Sequence, residues 1–317
     1  MHRRSATLPA MAKKSKNKET PAASADVTAG TSAATPDPSL SRLLRAPGGA
    51  VDVRAIPTDA APGFPGNGKA DAPAYGEALE PVLSDLQERL YAQGRSDPRS
   101  ARRVLVILQG MDTSGKGGAI RHAIGMVDPQ GVQLTAFKAP TAEERRHPFL
   151  WRIRRALPDP GMIGIFDRSQ YEDVLIVRVN ELVPRATWSR RYATINHFEK
   201  GLADQGVVIL KCFLHISADE QKLRLAERLN NPEKYWKYNP ADLDSRTNWD
   251  RYMDAYGDLL TRCNPDHAPW YVIPSDKKWY RNWAVAELLR EKLAGLGLGW
   301  PAPEFDVEAE KRRVAKS

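Results

Sequence analysis

The stretch RVLVILQGMDTSGKGG, residues 103–118, decides the architecture. Its first half, Arg103–Gln109, is a continuous run of β-branched and leucine side chains. Such a run predicts a strand buried on both faces, which needs helices above and below it. The second half carries the Gly-x4-Gly-Lys spacing, from Gly110 through Gly115 to Lys116, and runs into a helical pattern. A buried strand, a glycine-rich turn and a helix start form the context that a phosphate-binding loop requires. In such a loop, Gly110, Thr113, Ser114, Gly115 and Gly117 turn backbone N–H groups inward around phosphate oxygens. The helix N-terminus adds its dipole, and Lys116 reaches the outer phosphate. A plain strand–helix turn has no need of that lysine.

Working outward, strands and helices alternate. An amphipathic helix is predicted around Tyr75 to Gln93, from apolar residues at three- and four-residue spacing. After the loop, a helix is expected from Gly117 to Val127 and a strand over Val132–Phe137. Thr141 and Glu144 have capping-box spacing and predict a helix running to about Ala156. Further strands are predicted at Met162–Phe166, Val207–His215 and Trp270–Ile273. Helices are expected over Thr187–Gln205, from the capping box at Ser217 and Glu220 to Leu229, and over Trp279–Leu296. Strands separated by helices imply a parallel sheet in a three-layer α/β domain. We place that domain at residues 75–300. Ahead of it lie a low-complexity basic tail, residues 1–45, read as disordered, and a Pro/Gly-rich extended loop, 46–74. A charged tail, 301–317, follows.

Two carboxylates are the candidates for holding a divalent cation. Ser or Thr usually follows the loop lysine and binds Mg²⁺, but here Gly117 stands in that place. Asp112, inside the loop, is the substitute; its plainer reading is a turn-forming aspartate. Asp167 ends the third strand, where ligands of open parallel sheets bind; its plainer reading is a helix cap. Arg168 beside it could neutralise a phosphoryl group in transfer, or pair with Glu172 or Asp173. Arg145, Arg152, Arg154 and Arg155 crowd the next helical stretch after Lys138. They are either a solvated face or, with Arg121, a trail of cations for a long polyanion. Residues 230–256 mix lysines, arginines (Arg246 among them) and aromatics, and break the α/β rhythm where a lid would sit.

The 317 residues carry a formal charge of +8, which raises nucleic-acid binding as a possibility. Residues 1–20 account for +5 of it, with six basic side chains and one acidic. The charge therefore reports mainly the tail, and nucleic acid is not the expected partner. Cys212 and Cys263 are too few for a disulfide framework or a zinc site and read as idle thiols. No apolar run is long enough to span a bilayer, so a cytoplasmic protein is expected.

LQGMDTSGKGG, FKAPTAEERRHPFLWR, IFDRSQYEDVLIVRV, FLHISADEQ, YWKYNPADL and PWYVIPSDKKWYRN occur in this order. Together they resemble the type-2 polyphosphate kinase family, over about Leu83 to Leu296. DRSQYEDVL and PSDKKWYRN look most like the members that accept both AMP and ADP. The resemblance implies a P-loop kinase-like core with a five-stranded parallel sheet and a helical lid. It also implies Mg²⁺ (or Mn²⁺) on the residues matching Asp112 and Asp167, with Lys116 and Arg168 at the point of transfer. A basic polyphosphate channel, AMP, ADP and ATP as partners, and a homo-oligomer follow from it too. An acceptor phosphate is already ionised at neutral pH, so no general base is required. The rival readings are an ATP-dependent small-molecule kinase and a non-catalytic polyanion or nucleic-acid binder.

Overall fold

A computed structural model describes residues 39–317. Five strands, β1 (Arg103–Gln109), β2 (Val132–Ala136), β3 (Ile163–Asp167), β4 (Val207–His215) and β5 (Trp270–Pro274), form one sheet. Their order is β2-β3-β1-β4-β5, and every pairing is parallel. Among the described residues each strand is joined to the next through one or more helices, as parallel crossovers demand. The α-helices are α1 (Leu40–Leu44), α2 (Ala72–Ser96), α3 (Lys116–His122), α4 (Trp151–Arg155), α5 (Ile176–Val179) and α6 (Arg185–Asp204). They continue as α7 (Ala218–Asn230), α8 (Pro240–Thr247), α9 (Trp249–Arg262), α10 (Lys278–Ala294) and α11 (Val307–Val314).

β1 shows why its sequence is apolar without alternation. Val104, Val106 and Leu108 pack into a core with residues of α2, α3 and α10. Leu105 and Ile107 point the other way, into a core with residues of α6 and α9. Both faces of the strand are dry, so period-two patterning disappears. The pairing register sets Leu108 of β1 beside Asp167 of β3, which brings the two strands' carboxyl ends level.

A buried ion pair ties α6 to the middle of β4. Lys211 Nζ donates to Glu199 Oε2 at 2.7 Å, to the Tyr171 hydroxyl at 2.9 Å and to the Cys263 carbonyl at 2.8 Å. All three ammonium donors are therefore used, which is the condition for keeping a lysine in a core.

Several expectations change at the margins. The capping box forms, with Thr141 N donating to Glu144 Oε2 and Glu144 N to Thr141 Oγ1. It opens only a 3₁₀ turn over Glu144–Arg146, because Pro148 disfavours helical backbone at His147, which is extended. The helix resumes as α4. The helix after the loop ends at His122, and a 3₁₀ turn over Ile124–Met126 replaces its last part.

The stretch read as a tail to residue 45 is already folded at Leu40, where α1 docks on α10. Glu291 accepts from the backbone N–H groups of Leu40 and Ser41 at 2.7 and 3.0 Å. Residues 1–38 of that tail lie outside the described residues. The chain then covers the outer edge of β5, with Ala46 N donating to the Trp270 carbonyl at 2.8 Å. The Pro/Gly-rich segment is irregular as expected but well packed: Val53 is buried and Phe64 sits against Tyr75, Trp279 and Trp283. Within 230–256, α9 buries Tyr252, Met253, Ala255 and Tyr256. Only the part before it, through α8, lies apart from the core. The charged C-terminal stretch contains the exposed helix α11.

Candidate active site

The loop leaves β1 at Gly110 and enters α3 at Lys116. Gly115 has φ +104°, and a Cβ there would stand 1.7 Å from Arg281 Nη1, so only glycine fits. Thr113 also has positive φ, +65°, which costs on the order of 1–2 kcal/mol for a residue with a side chain. Strained backbone of this kind persists where surrounding contacts enforce it. Here Arg224 supplies them: its Nη1 donates to the carbonyls of Thr113 at 2.8 Å and Ser114 at 3.1 Å. The buried hydroxyl oxygens of Thr113 and Ser114 have no hydrogen-bond partner among the described residues.

Lys116 Nζ donates to the Gly110 carbonyl at 2.8 Å, which curls the side chain over the loop. On the neighbouring strand, Arg168 follows Asp167 with φ +64°. Its backbone N–H is held by the Leu108 carbonyl at 3.1 Å. Its guanidinium donates from Nη2 to Asp112 Oδ1 at 3.1 Å, so its ion-pair partner is the loop carboxylate rather than Glu172 or Asp173, the alternative partners the sequence offered. Burial alone would lower the Arg168 pKa. The carboxylates of Glu172, Asp112 and Asp167 outweigh it and hold the group above its ordinary value. Glu172 is itself raised by burial, against the pull of Arg168 and Lys116.

These groups line a cavity of about 660 Å³. Lys116, Arg121, Lys138, Arg168, Arg228 and Lys237 face Asp112, Asp167 and Asp242 across it, six cations against three carboxylates. Trp236, on the segment before α8, stands at its wall and is 78% exposed. A cavity with this balance selects a multiply charged anion. Asp112 and Asp167 both line the cavity and offer carboxylate oxygens, the hard donors that would suit a Mg²⁺ ion. Among the described residues no group of three or more His, Cys, Asp or Glu could hold a metal. Mg²⁺ is usually shared between one or two carboxylates and substrate phosphates. The donor set therefore fits such an ion.

Not every residue named from the sequence reaches this cavity. Gly110 and Ser114 shape the loop from behind, while Thr113, Gly115 and Gly117 line it. Arg246 faces α7 instead, donating to the Ala218 carbonyl at 2.5 Å and to Gln221 Oε1 at 3.2 Å. Gln221 in turn donates to the Asp112 carbonyl at 3.1 Å, so Arg246 acts on the loop at one remove.

Of the proposed channel, Arg121 alone lines the cavity. Arg152 is buried, bonded to the Lys138 carbonyl at 2.8 Å and set over the Phe137 ring, where it braces Lys138 rather than meeting solvent. Arg145 donates to the Pro140 carbonyl at 2.6 Å, and Arg155 lies over Trp151. The break at Pro148 divides these arginines between two short elements, which disperses the expected trail.

Residues not anticipated are Arg224, Arg228, Asp242 and Arg281. Gln221, Arg224 and Arg228 stand at i, i+3 and i+7 on α7, a polar stripe visible in the sequence once the helix is assumed. Arg281 gave no periodic signal.

The Polyphosphate kinase 2 family profile matches residues 75–296. The chain is 46% identical over 262 residues to the AMP/ADP-polyphosphate phosphotransferase of Meiothermus ruber, covering 83% of this chain and 96% of that protein. It is 43% identical over 231 residues to the ADP-polyphosphate phosphotransferase of Rhodopseudomonas palustris, covering 69% and 78%. The crystal structure of Polyphosphate Kinase 2 from Arthrobacter aurescens TC1 superposes with a TM-score of 0.84 at 49% identity, covering 88% and 98%. With the phosphate loop, the paired aspartates and the cationic cavity in place, the chain belongs to the polyphosphate kinase 2 family, enzymes that transfer phosphoryl groups between polyphosphate and nucleotides.

Proposed function

We propose that this enzyme phosphorylates both AMP and ADP from inorganic polyphosphate, using Lys116, Arg168, Asp112 and Asp167 at the point of transfer. The observation that carries this reading is the convergence of those four side chains on one cavity with a twofold excess of cations. An ionised acceptor phosphate oxygen attacks the terminal phosphorus in line. One P–O bond forms, the phosphoanhydride P–O bond breaks, and the shortened polyphosphate leaves as an anion. No proton need be removed, because the acceptor phosphate is already ionised at neutral pH.

Mg²⁺, or Mn²⁺ in its place, would be held by Asp112 and Asp167 and would neutralise charge on the phosphates. Arg168 and Lys116 stabilise the charge that spreads over the transferring group. Acceptance of ADP is supported by the names of both relatives above, and acceptance of AMP by that of the M. ruber protein. The same reading gives a homo-oligomer in the cytoplasm. Among the described residues no helix is long and apolar enough to cross a membrane.

The test is ATP formation by purified protein with Mg²⁺, polyphosphate and either ADP or AMP, beside Lys116→Ala. ATP from ADP that disappears in the variant supports the reaction, and ATP from AMP alone supports the second acceptor. Folded protein that forms no product from either, but consumes ATP with another acceptor, would reverse the assignment of donor.

A further inference from the structure

Two guanidinium groups lie beneath the phosphate loop, and they differ in one respect. Arg224 has a carboxylate partner, Glu220 Oε1 at 2.7 Å, besides its loop carbonyls. Arg281, near the start of α10, is just as buried. Its Nη1 donates to the Ser114 carbonyl at 3.3 Å, and its Nε and Nη2 donate to Asn282 Oδ1 at 3.2 and 2.7 Å. No carboxylate among the described residues pairs with it. Burial, reinforced by repulsion from Arg224, pulls its pKa down to about 10, so it remains charged at neutral pH.

A buried cation without a counter-charge is costly, and the N-terminus of α3 above it is already the positive end of a helix. The surrounding sequence nevertheless makes room for it. A Cβ at Gly118 would stand 2.5 Å from Arg281 Nη2, although that glycine has no left-handed backbone to require it. Gly115 meets the same guanidinium more closely still. Two glycines, the N-cap of α3 and one in its first turn, are thus fitted around a charge that no carboxylate among the described residues neutralises.

We propose that Arg281 is a positioning residue whose missing counter-charge is the phosphoanhydride chain held by the loop. The guanidinium acts through the loop backbone, fixing the Ser114 carbonyl and adding positive potential behind the N–H groups. The free protein carries the strain of that charge, and the bound phosphate relieves it. This rests on the phosphate-loop reading above.

The experiment uses the full chain, with tripolyphosphate as probe, in wild type, Arg281→Met and Arg281→Lys. Without ligand, Arg281→Met is expected to melt at or above the wild-type temperature, since an uncompensated charge is gone. The rise in melting temperature on adding tripolyphosphate should shrink, and KM for polyphosphate should increase about tenfold, the scale of one lost charge-assisted contact. kcat should change far less, and Arg281→Lys should restore most of the affinity. A lower melting temperature with an unchanged ligand shift and unchanged KM would make Arg281 a structural clamp and overturn the proposal.

Gly118→Ala offers a second route, because a methyl there displaces the guanidinium without adding charge. It should weaken tripolyphosphate binding in the wild type and not further in Arg281→Met; additive losses would count against the coupling. A wild type that ignores tripolyphosphate removes the loop reading and this proposal together. A responsive wild type matched by Arg281→Met removes this proposal alone.

Discussion

Arg168 shows how much chemistry can depend on one backbone angle. At φ +64° the chain turns sharply out of β3, and the guanidinium reaches back to Asp112 across the strand boundary. A β-region residue there would send the side chain elsewhere. Arg168→Ala is expected to lower kcat by about 10²–10³, the loss typical of removing one preorganised charge-stabilising donor. KM should move little, because on the proposed reading Lys116 and the loop N–H groups still hold the phosphates. Arg168→Lys should recover only part, since an ammonium cannot reproduce the planar fork. Steady-state kinetics at saturating Mg²⁺ decide this, and an unchanged kcat in Arg168→Ala would remove the residue from the transfer step.

At the scale of elements, the sheet is held to α6 by polar groups as well as by apolar packing. α6 and β4 meet through Glu199 and Lys211, with Tyr171 from the turn after β3 donating to Glu199 Oε1 at 2.7 Å. This links the strand that carries Asp167 to the far side of the core. Removing one partner leaves the other charged and dry. Lys211→Met should therefore cost about 3–5 kcal/mol of stability in urea unfolding. A double variant, Lys211→Met with Glu199→Leu, should recover part of the loss. A single variant as stable as the wild type would show that the pair contributes nothing net.

For the whole molecule, the distribution of charge matters more than its total. The +8 of the chain is concentrated in residues 1–20, yet the cavity assembles six cations from the loop, α3, the β2 and β3 ends, α7 and the segment before α8. On the proposed reading polyphosphate meets more of these cations than a nucleotide does. KM for polyphosphate is accordingly expected to rise more steeply with added salt than KM for ADP. Equal salt dependence of the two, measured under initial-rate conditions, would contradict an extended electrostatic contact.

The sequence by itself determined the parallel α/β sheet, the phosphate loop and the pair Asp112 and Asp167. Each depends on local pattern: a buried apolar run, glycine spacing, a carboxylate at a strand end. Tertiary structure alone decided that Arg168 faces Asp112, that Arg152 braces Lys138 from within, and that Arg246 reaches the loop only through Gln221. It also brought Arg228 and Asp242 into the cavity and set Arg281 beneath Gly115 and Gly118. The division has a physical cause. Backbone conformation responds to near neighbours in the chain, but a long cationic side chain goes wherever a carbonyl, a ring or a carboxylate from a distant segment compensates it. Arg281, held by the distant Ser114 carbonyl and without a carboxylate partner among the described residues, is revealed only by the packed fold.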